Sequence, residues 1–276
     1  MNISQLKQKL ENKDLAPHLV LVGDVHGYYD SYKEIIKNAN YSLQVGDMAG
    51  RFNANISGYL PLNEVDPNRH KFIGGNHENY ASRKTSNTEI EYTHTYIRNN
   101  ELYEFFNLPP HYLGDYGIWQ IPDVIPGELS GNIFFLRGAW SIDCPFNPFG
   151  IESRKLGVDF FEEEELTTRQ FNDAFDLYQR TKPDFVVTHA CPLSVQKNLH
   201  LYKDGDIQLG RTAQSLDMFL EAHKPKIWVF GHYHQSKIFS KDGVVFACLE
   251  TVRYFSQDGL FNGCCLAFDK NLNILI

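Results

Sequence analysis

The 276-residue chain has little of what would place it outside the ordinary globular classes. No stretch approaches the ~18 consecutive apolar residues of a membrane-spanning helix, so no transmembrane segment is expected. The opening residues MNISQLKQKLENKD contain no continuous apolar run and do not read as a signal peptide. Cysteine is scarce. Five are present, at 144, 191, 248, 264 and 265, with no CxxC spacing. An odd number in a chain of this size argues against a disulfide framework and for a reducing compartment, so the expected location is cytoplasmic. Cys264-Cys265 lies in an apolar run and reads as core. Positive charge is also in deficit: 26 Lys and Arg face 34 Asp and Glu, for a net charge of -8. That balance excludes passive binding to an anionic membrane or to long duplex nucleic acid. It does not exclude a phosphate-bearing substrate, because bound divalent cations reverse the local field. No repeat, linker or low-complexity block divides the chain, so residues 1–276 are read as a single domain.

Hydrophobic residues make up 42% of the chain and charged residues 22%, enough to bury a sizeable core. The stretch Leu19-Val20-Leu21-Val22-Gly23-Asp24-Val25-His26-Gly27 sets the pattern. An apolar run ends at a glycine, and a carboxylate and an imidazole follow two positions apart. Residues 41–46 predict a second strand ending at Asp47, and 71–75 a third ending at Asn76-His77-Glu78. Strands over 184–188 and 226–230 end at His189 and at Gly231-His232-Tyr233-His234. Helices are predicted at the N-terminus (Ile3, Leu6 and Leu10 on one face), over 28–38 and around Leu216 to Leu220, the last capped by Thr212 or Ser215. The run Glu162-Glu163-Glu164-Glu165 reads as acid favoured by the dipole of the helix that follows. Further strands are expected at 116–121, 132–137, 237–240, 244–249 and 263–268, the last three antiparallel. Alternating short strands and helices with glycines at strand ends indicate an α/β sandwich, in which ligands collect where strands terminate. Residues 79–131, rich in Tyr, Phe, Asn and Pro, read as an insertion or cap over the site, with a helix at 92–107.

Seven residues therefore follow apolar runs as candidate metal ligands: Asp24, His26, Asp47, Asn76, His189, His232 and His234. Mixed oxygen and imidazole donors suit Mn, Fe or Zn better than calcium. Seven are too many for one ordinary ion, and shared between two they make a two-metal site.

These motifs, in this order, resemble those of the calcineurin-like metallophosphoesterases. The likeness spans most of the chain. The Gly138-to-Asp143 run, the stretch from Phe160 to Glu165 and Thr188-His189-Ala190-Cys191-Pro192 are similar to a bacterial and phage branch. The resemblance implies an αββα sandwich of two mixed sheets flanked by helices, with the active site at the strand carboxyl ends. It implies two divalent cations, Mn2+ first with Fe or Zn as alternatives. Asp24, His26 and His234 would hold one, Asn76, His189 and His232 the other, and Asp47 would bridge them. It further implies hydrolysis of a phosphate ester by a metal-bridging hydroxide, with His77 as general acid and Arg51 gripping the phosphoryl group. Arg137 and Arg211 are further candidates for that grip.

Two departures bear on substrate. The protein-phosphatase branch continues its second motif Asp-x-x-Asp-Arg-Gly, whereas here Gly50 replaces the Asp that orients the acid. His234 belongs to diesterase-like branches, while Glu78 and the Asp24-to-Gly27 spelling belong to phosphatases. Phosphomonoester hydrolysis, of a phosphoprotein or small phosphate, is placed ahead of phosphodiester or nucleotide hydrolysis. A non-catalytic scaffold of the same fold and a hydrolase of C–N or C–O bonds come last.

Overall fold

The computed structural model describes residues 16–48, 62–78, 110–125, 127, 129–141, 154–156, 160–199, 210–252 and 263–275. The helices expected at the N-terminus and over 92–107, and the positions Gly50 and Arg51, lie outside the described residues.

Among the described residues ten strands form two sheets. The smaller has the order β10-β1-β2-β3, built from β1 (Leu19–Val22), β2 (Tyr41–Gln44), β3 (His70–Phe72) and β10 (Cys265–Phe268). The larger has the order β4-β5-β6-β7-β9-β8, with β4 (Tyr116–Gln120), β5 (Asn132–Leu136), β6 (Phe185–Thr188), β7 (Ile227–Phe230), β8 (Lys237–Lys241) and β9 (Val244–Cys248). Parallel pairs fill the middle of each sheet, with antiparallel pairs at the edges formed by β10, β4 and β8. Both sheets are mixed, as the sequence leads one to expect. The pairing of the last three strands differs from expectation: β9 lies parallel to β7, and β10 crosses to the other sheet to pair with β1.

Side chains on a strand alternate between faces, so a strand covered on both sides reads as an unbroken apolar run. That is the case for β1, β5, β6 and β7. Leu19, Leu21, Phe135, Val187 and Val229 point into the layer between the sheets. Their neighbours Phe134, Val186, Trp228 and Phe230 face outward under two helices, α2 (Thr168–Thr181) and α4 (Arg211–Ala222). On the other side Val20 and Val22 face α1 (Tyr29–Ile36) through Tyr32 and Ile36. A one-turn helix, α3 (Leu193–Gln196), follows β6. The result is four layers, helix, sheet, sheet, helix. Among the described residues no helix is long and apolar enough to cross a membrane.

Helix starts depart from the sequence reading in an informative way. The acidic run does not open α2. Glu162–Glu164 forms a separate 3-10 turn, and α2 begins after Thr167, whose side chain forms a capping box with Gln170. Neither Thr212 nor Ser215 caps α4; Glu165 Oε1 accepts from the Thr212 N–H at 2.7 Å from outside the helix.

Candidate metal centre

Seven strands, β1, β2, β3, β5, β6, β7 and β9, end at the same edge of the sandwich, and the residues that follow them bond to one another before any ligand is considered. Val25 and His26 both donate backbone N–H to the Asp47 carbonyl, at 3.0 and 2.8 Å, joining the loops after β1 and β2. Gly138 N donates to Gly74 O, and Gly231 N to His189 O. Two buried side chains reinforce these ties. The Gln44 amide accepts from Gly46 N at 3.1 Å and donates to Gly23 O at 3.1 Å. The Glu78 carboxylate accepts from Met48 N at 2.7 Å and from Gly75 N, clamping the turn that carries Asp47 to the turn that carries Asn76.

The turns are sharp. His26, Asp47, His232 and His234 all have positive φ, between 46° and 66°. Residues other than glycine are uncommon there, and such backbone clusters at functional sites. Gly46, at φ 116°, lies so close to His189 that a Cβ would overlap its ring, and a Cβ at Gly231 would overlap Asp24 Oδ1.

The candidate ligands are joined by side-chain contacts. Asp24, Asp47 and His189 form a floor no more than 1% exposed. His189 Nδ1 faces the Val45 carbonyl at 3.0 Å. A carbonyl only accepts, so Nδ1 carries a proton, and in the neutral imidazole Nε2 presents a lone pair. Nε2 lies 3.0 Å from Asn76 Oδ1 and 3.4 Å from Asp47 Oδ2. Asn76 is turned this way because its Nδ2 donates to Ser141 Oγ at 2.8 Å. The rim is more open: side-chain exposures are 17% for His26, 25% for His77 and 46% for His234. His234 Nε2 lies 3.1 Å from Asp24 Oδ2 and 3.1 Å from His26 Nε2. Asp47 Oδ2 is the hub, with Nε2 of His189, His26 and His77 at 3.4, 3.8 and 4.0 Å. The seventh candidate, His232, sets its ring 5.0 Å from that of His189 and donates its backbone N–H to both Asp24 oxygens, at 3.1 and 3.0 Å.

Among the described residues three sets of ligand atoms lie within 4.8 Å of one another: Asp24, His26 and His234; Asp24, Asp47 and His189; and His26, Asp47 and His77. His77, expected as an acid, thus also stands within ligating range. Its backbone N–H donates to Asp47 Oδ1 at 2.8 Å, which places its ring on the hub carboxylate.

The electrostatics fit a cation. Burial alone would neutralise Asp24 and Asp47, yet the surrounding histidines hold both carboxyls below the usual carboxylate range. Burial opposes charge on His189, but Asp47, Asp24 and Glu78 outweigh it and raise the imidazolium to about 9. Without a cation, only a proton relieves the acceptor atoms around Nε2. A divalent ion relieves them as well and satisfies more than one oxygen. The donor set therefore fits the metals that the sequence resemblance implies.

Residues not singled out from sequence support this floor. Glu164 is 2% exposed. It accepts from Ser141 Oγ at 2.5 Å and from Arg154 Nη1 and Nη2 at 2.9 and 2.7 Å. Burial raises its carboxyl to about 7, with Arg154 and Ser141 opposing. Reading the acidic run as dipole compensation missed this residue. Arg137 is not placed to grip a phosphate: it is 2% exposed, paired with Asp115 and donating Nη1 to the Glu163 carbonyl. Arg211 does line a cavity of about 320 Å³ beside Ser141, with Trp140, Phe160 and Glu165.

An αββα sandwich whose strand ends converge on a histidine and carboxylate cluster defines a metal-dependent phosphoesterase. The family model of the calcineurin-like phosphoesterases matches residues 17–236, and the chain belongs to that family. None of the curated proteins matches it. Solved structures that it resembles include TT1561 of Thermus thermophilus, at 9% identity and TM-score 0.48, covering 86% of this chain and 90% of that one. Phosphopantetheinyl hydrolase (PptH) from Mycobacterium tuberculosis shows 18% identity and TM-score 0.45, over 86% and 91%. A serine/threonine phosphatase from Saccharomyces cerevisiae shows 11% identity and TM-score 0.35, over 91% and 78%. Likenesses at this level decide nothing about substrate.

Proposed function

We propose that the chain hydrolyses phosphomonoesters with two divalent cations, manganese first and iron or zinc as alternatives. The observation that carries the reading is the meeting of Asp47 Oδ2, Asn76 Oδ1 and His189 Nε2 on a buried floor, a set that only a proton or a cation can match. Asp24, His26 and His234 would hold one ion, Asn76, His189 and His232 the other, with Asp47 between them. Bound there, the cations supply an activated water and neutralise charge on the phosphoryl oxygens. The chain's own part is placement. The buried floor excludes water from beneath the cluster, and the rim histidines face the side from which an ester arrives. His77, 25% exposed on that rim, protonates the departing alkoxide. Arg51 grips the phosphoryl oxygens, and Arg211, on the wall of the neighbouring cavity, is a second cation for that role. The insertion at 79–131 sets specificity within the single domain.

One observation favours a second reading, phosphodiester or nucleotide hydrolysis. His234 stands 3.1 Å from Asp24, within the cluster rather than beside it, as expected of the diesterase-like branches.

A panel of p-nitrophenyl phosphate, bis-p-nitrophenyl phosphate, a cyclic nucleotide, a dinucleoside polyphosphate and a phosphopeptide, assayed with added Mn2+, separates the readings. Monoesters are expected to turn over fastest, and a preference for diesters selects the second reading. No turnover of any phosphate with Mn, Fe or Zn removes both. His77→Ala is expected to slow alkyl phosphates more than nitrophenyl phosphate, since a good leaving group needs little protonation. Equal losses remove the acid role.

A further inference from the structure

The two ends of the Asn76 amide differ in chemistry, and the choice of end facing the cluster is made outside it. Rotation about the terminal torsion of an asparagine is broad and nearly twofold, so the side chain itself prefers neither orientation. Its surroundings do. Arg154 and the Phe161 N–H hold the Glu164 carboxylate, which only accepts. Ser141 spends its single hydroxyl proton on Glu164 Oε2, so its oxygen has only lone pairs left for a third party. That third party is Asn76 Nδ2, at 2.8 Å. With the NH2 end committed to Ser141, Oδ1 faces His189 and the hub.

We infer that Ser141, backed by Glu164 and Arg154, is a positioning residue that fixes Asn76 with its oxygen toward the cation site. Flipped, Asn76 would offer the cation an NH2 group that has no lone pair to give. The chain of donors has one direction, from Asn76 to Ser141 to Glu164, and the Arg154 guanidinium anchors its end. This inference rests on the two-cation reading and adds residues that reading does not use. Outer partners of this kind commonly change metal affinity by about 10–100-fold.

Calorimetric titration of metal-stripped, full-length protein with MnCl2 at pH 8 tests it. Wild type is expected to take up two ions. Ser141→Ala is expected to keep one at wild-type affinity and to bind the other about 10–100-fold more weakly. Ser141→Thr, which keeps the hydroxyl, restores it. The discriminating background is Asn76→Asp. Its carboxylate offers oxygen at either end and has no N–H for Ser141, so adding Ser141→Ala there costs no further affinity. Wild-type affinity for both ions in Ser141→Ala overturns the inference. So does a loss in the Asn76→Asp background as large as in wild type, which marks a general structural effect. If Ser141→Ala does not fold, Glu164→Gln keeps the volume and is expected to weaken the same ion by a smaller factor. Unchanged binding of both ions in that variant overturns the inference equally. Wild type that binds no Mn2+ removes the two-cation reading itself. That outcome is distinct from wild type and Ser141→Ala both binding two ions alike, which removes only the role of Ser141.

Discussion

Two buried polar groups flank the smaller sheet, and they are built on opposite principles. On the outer face Tyr32, Ser42 and His70 form a short chain. Tyr32 Oη lies 3.4 Å from Ser42 Oγ, which lies 3.0 Å from His70 Nδ1. Turning two hydroxyl protons lets Tyr32 donate to Ser42 and Ser42 donate to His70 Nδ1, so both contacts are matched within the protein. At the strand ends, the carboxylates of Asp24 and Asp47, the Asn76 oxygen and Nε2 of His189 converge, and only an added positive charge, a proton on His189 or a cation, matches them. No rotation of hydrogens does so. A matched network stabilises the apo protein, whereas a mismatched one is completed from outside.

The largest effects are expected where the mismatch is altered. Asp47→Asn keeps the shape of the hub and removes its charge. Turnover of nitrophenyl phosphate with Mn2+ is expected to fall by on the order of 10²–10³ or more, as when a group stabilising transition-state charge is lost. Full activity in steady-state assays would mean that Asp47 is not the hub. Next comes metal itself. At a free Mn2+ concentration of 100 times Kd, each ion adds about 2.7 kcal/mol of folded-state stability, read as a rise in the denaturant midpoint. Asp47→Asn should lose most of that rise. A change in the Tyr32–Ser42–His70 chain should leave it intact, and equal loss from both regions would dissolve the distinction.

Much of this contrast was legible in the sequence, because the strands announce their own ends. The apolar runs of β1 and β7, covered on both faces, stop at Gly23 and Gly231, and the polar residues beyond them are few and of ligating type. Nothing local shows which carboxylate of Glu162 to Glu165 turns inward. The 3-10 turn puts Glu164 beneath Ser141, 23 positions earlier, while Glu162 lines the cavity and Glu165 caps α4. Arg137 read as a possible phosphate grip because its partner Asp115 comes from a different strand end. Sheet membership is hidden for the same reason: β9 and β10 have similar patterns yet join different sheets. Pattern along the chain marks which residues leave the core. Pairing across it decides what they meet.

Smaller effects test the matched side. Ser42→Ala removes the middle of the chain and leaves the Tyr32 hydroxyl and His70 Nδ1 buried without that partner. A buried polar group so stranded costs about 1–3 kcal/mol, measurable by urea unfolding. Activity with Mn2+ should hold, since the Ser42 hydroxyl meets Tyr32 and His70 and none of the cluster residues. A loss of activity larger than the loss of folded protein would show that the outer network reaches the cluster.

The smallest expected effect is a pH dependence, and its sign follows from burial. Removal from water, with the charge of Arg69 and His111 assisting and Asp66 opposing, lowers His70 to about 4. Between pH 4 and 6.5 the unfolded chain therefore holds a proton on this residue that the folded chain does not. Stability then rises with pH across that window. The contribution is complete above pH 6.5 and is lost as pH falls toward 4. His111, also lowered by burial, acts in the same direction. The informative quantity is therefore the difference between wild type and His70→Asn, which keeps a polar atom near Ser42 and cannot titrate. Unfolding free energies taken at several pH values should show a shallower slope for the variant between pH 4 and 6.5, and matching slopes above it. Equal slopes throughout would mean that His70 takes up its proton in the folded state, and that the outer network accepts a charge as the cluster does.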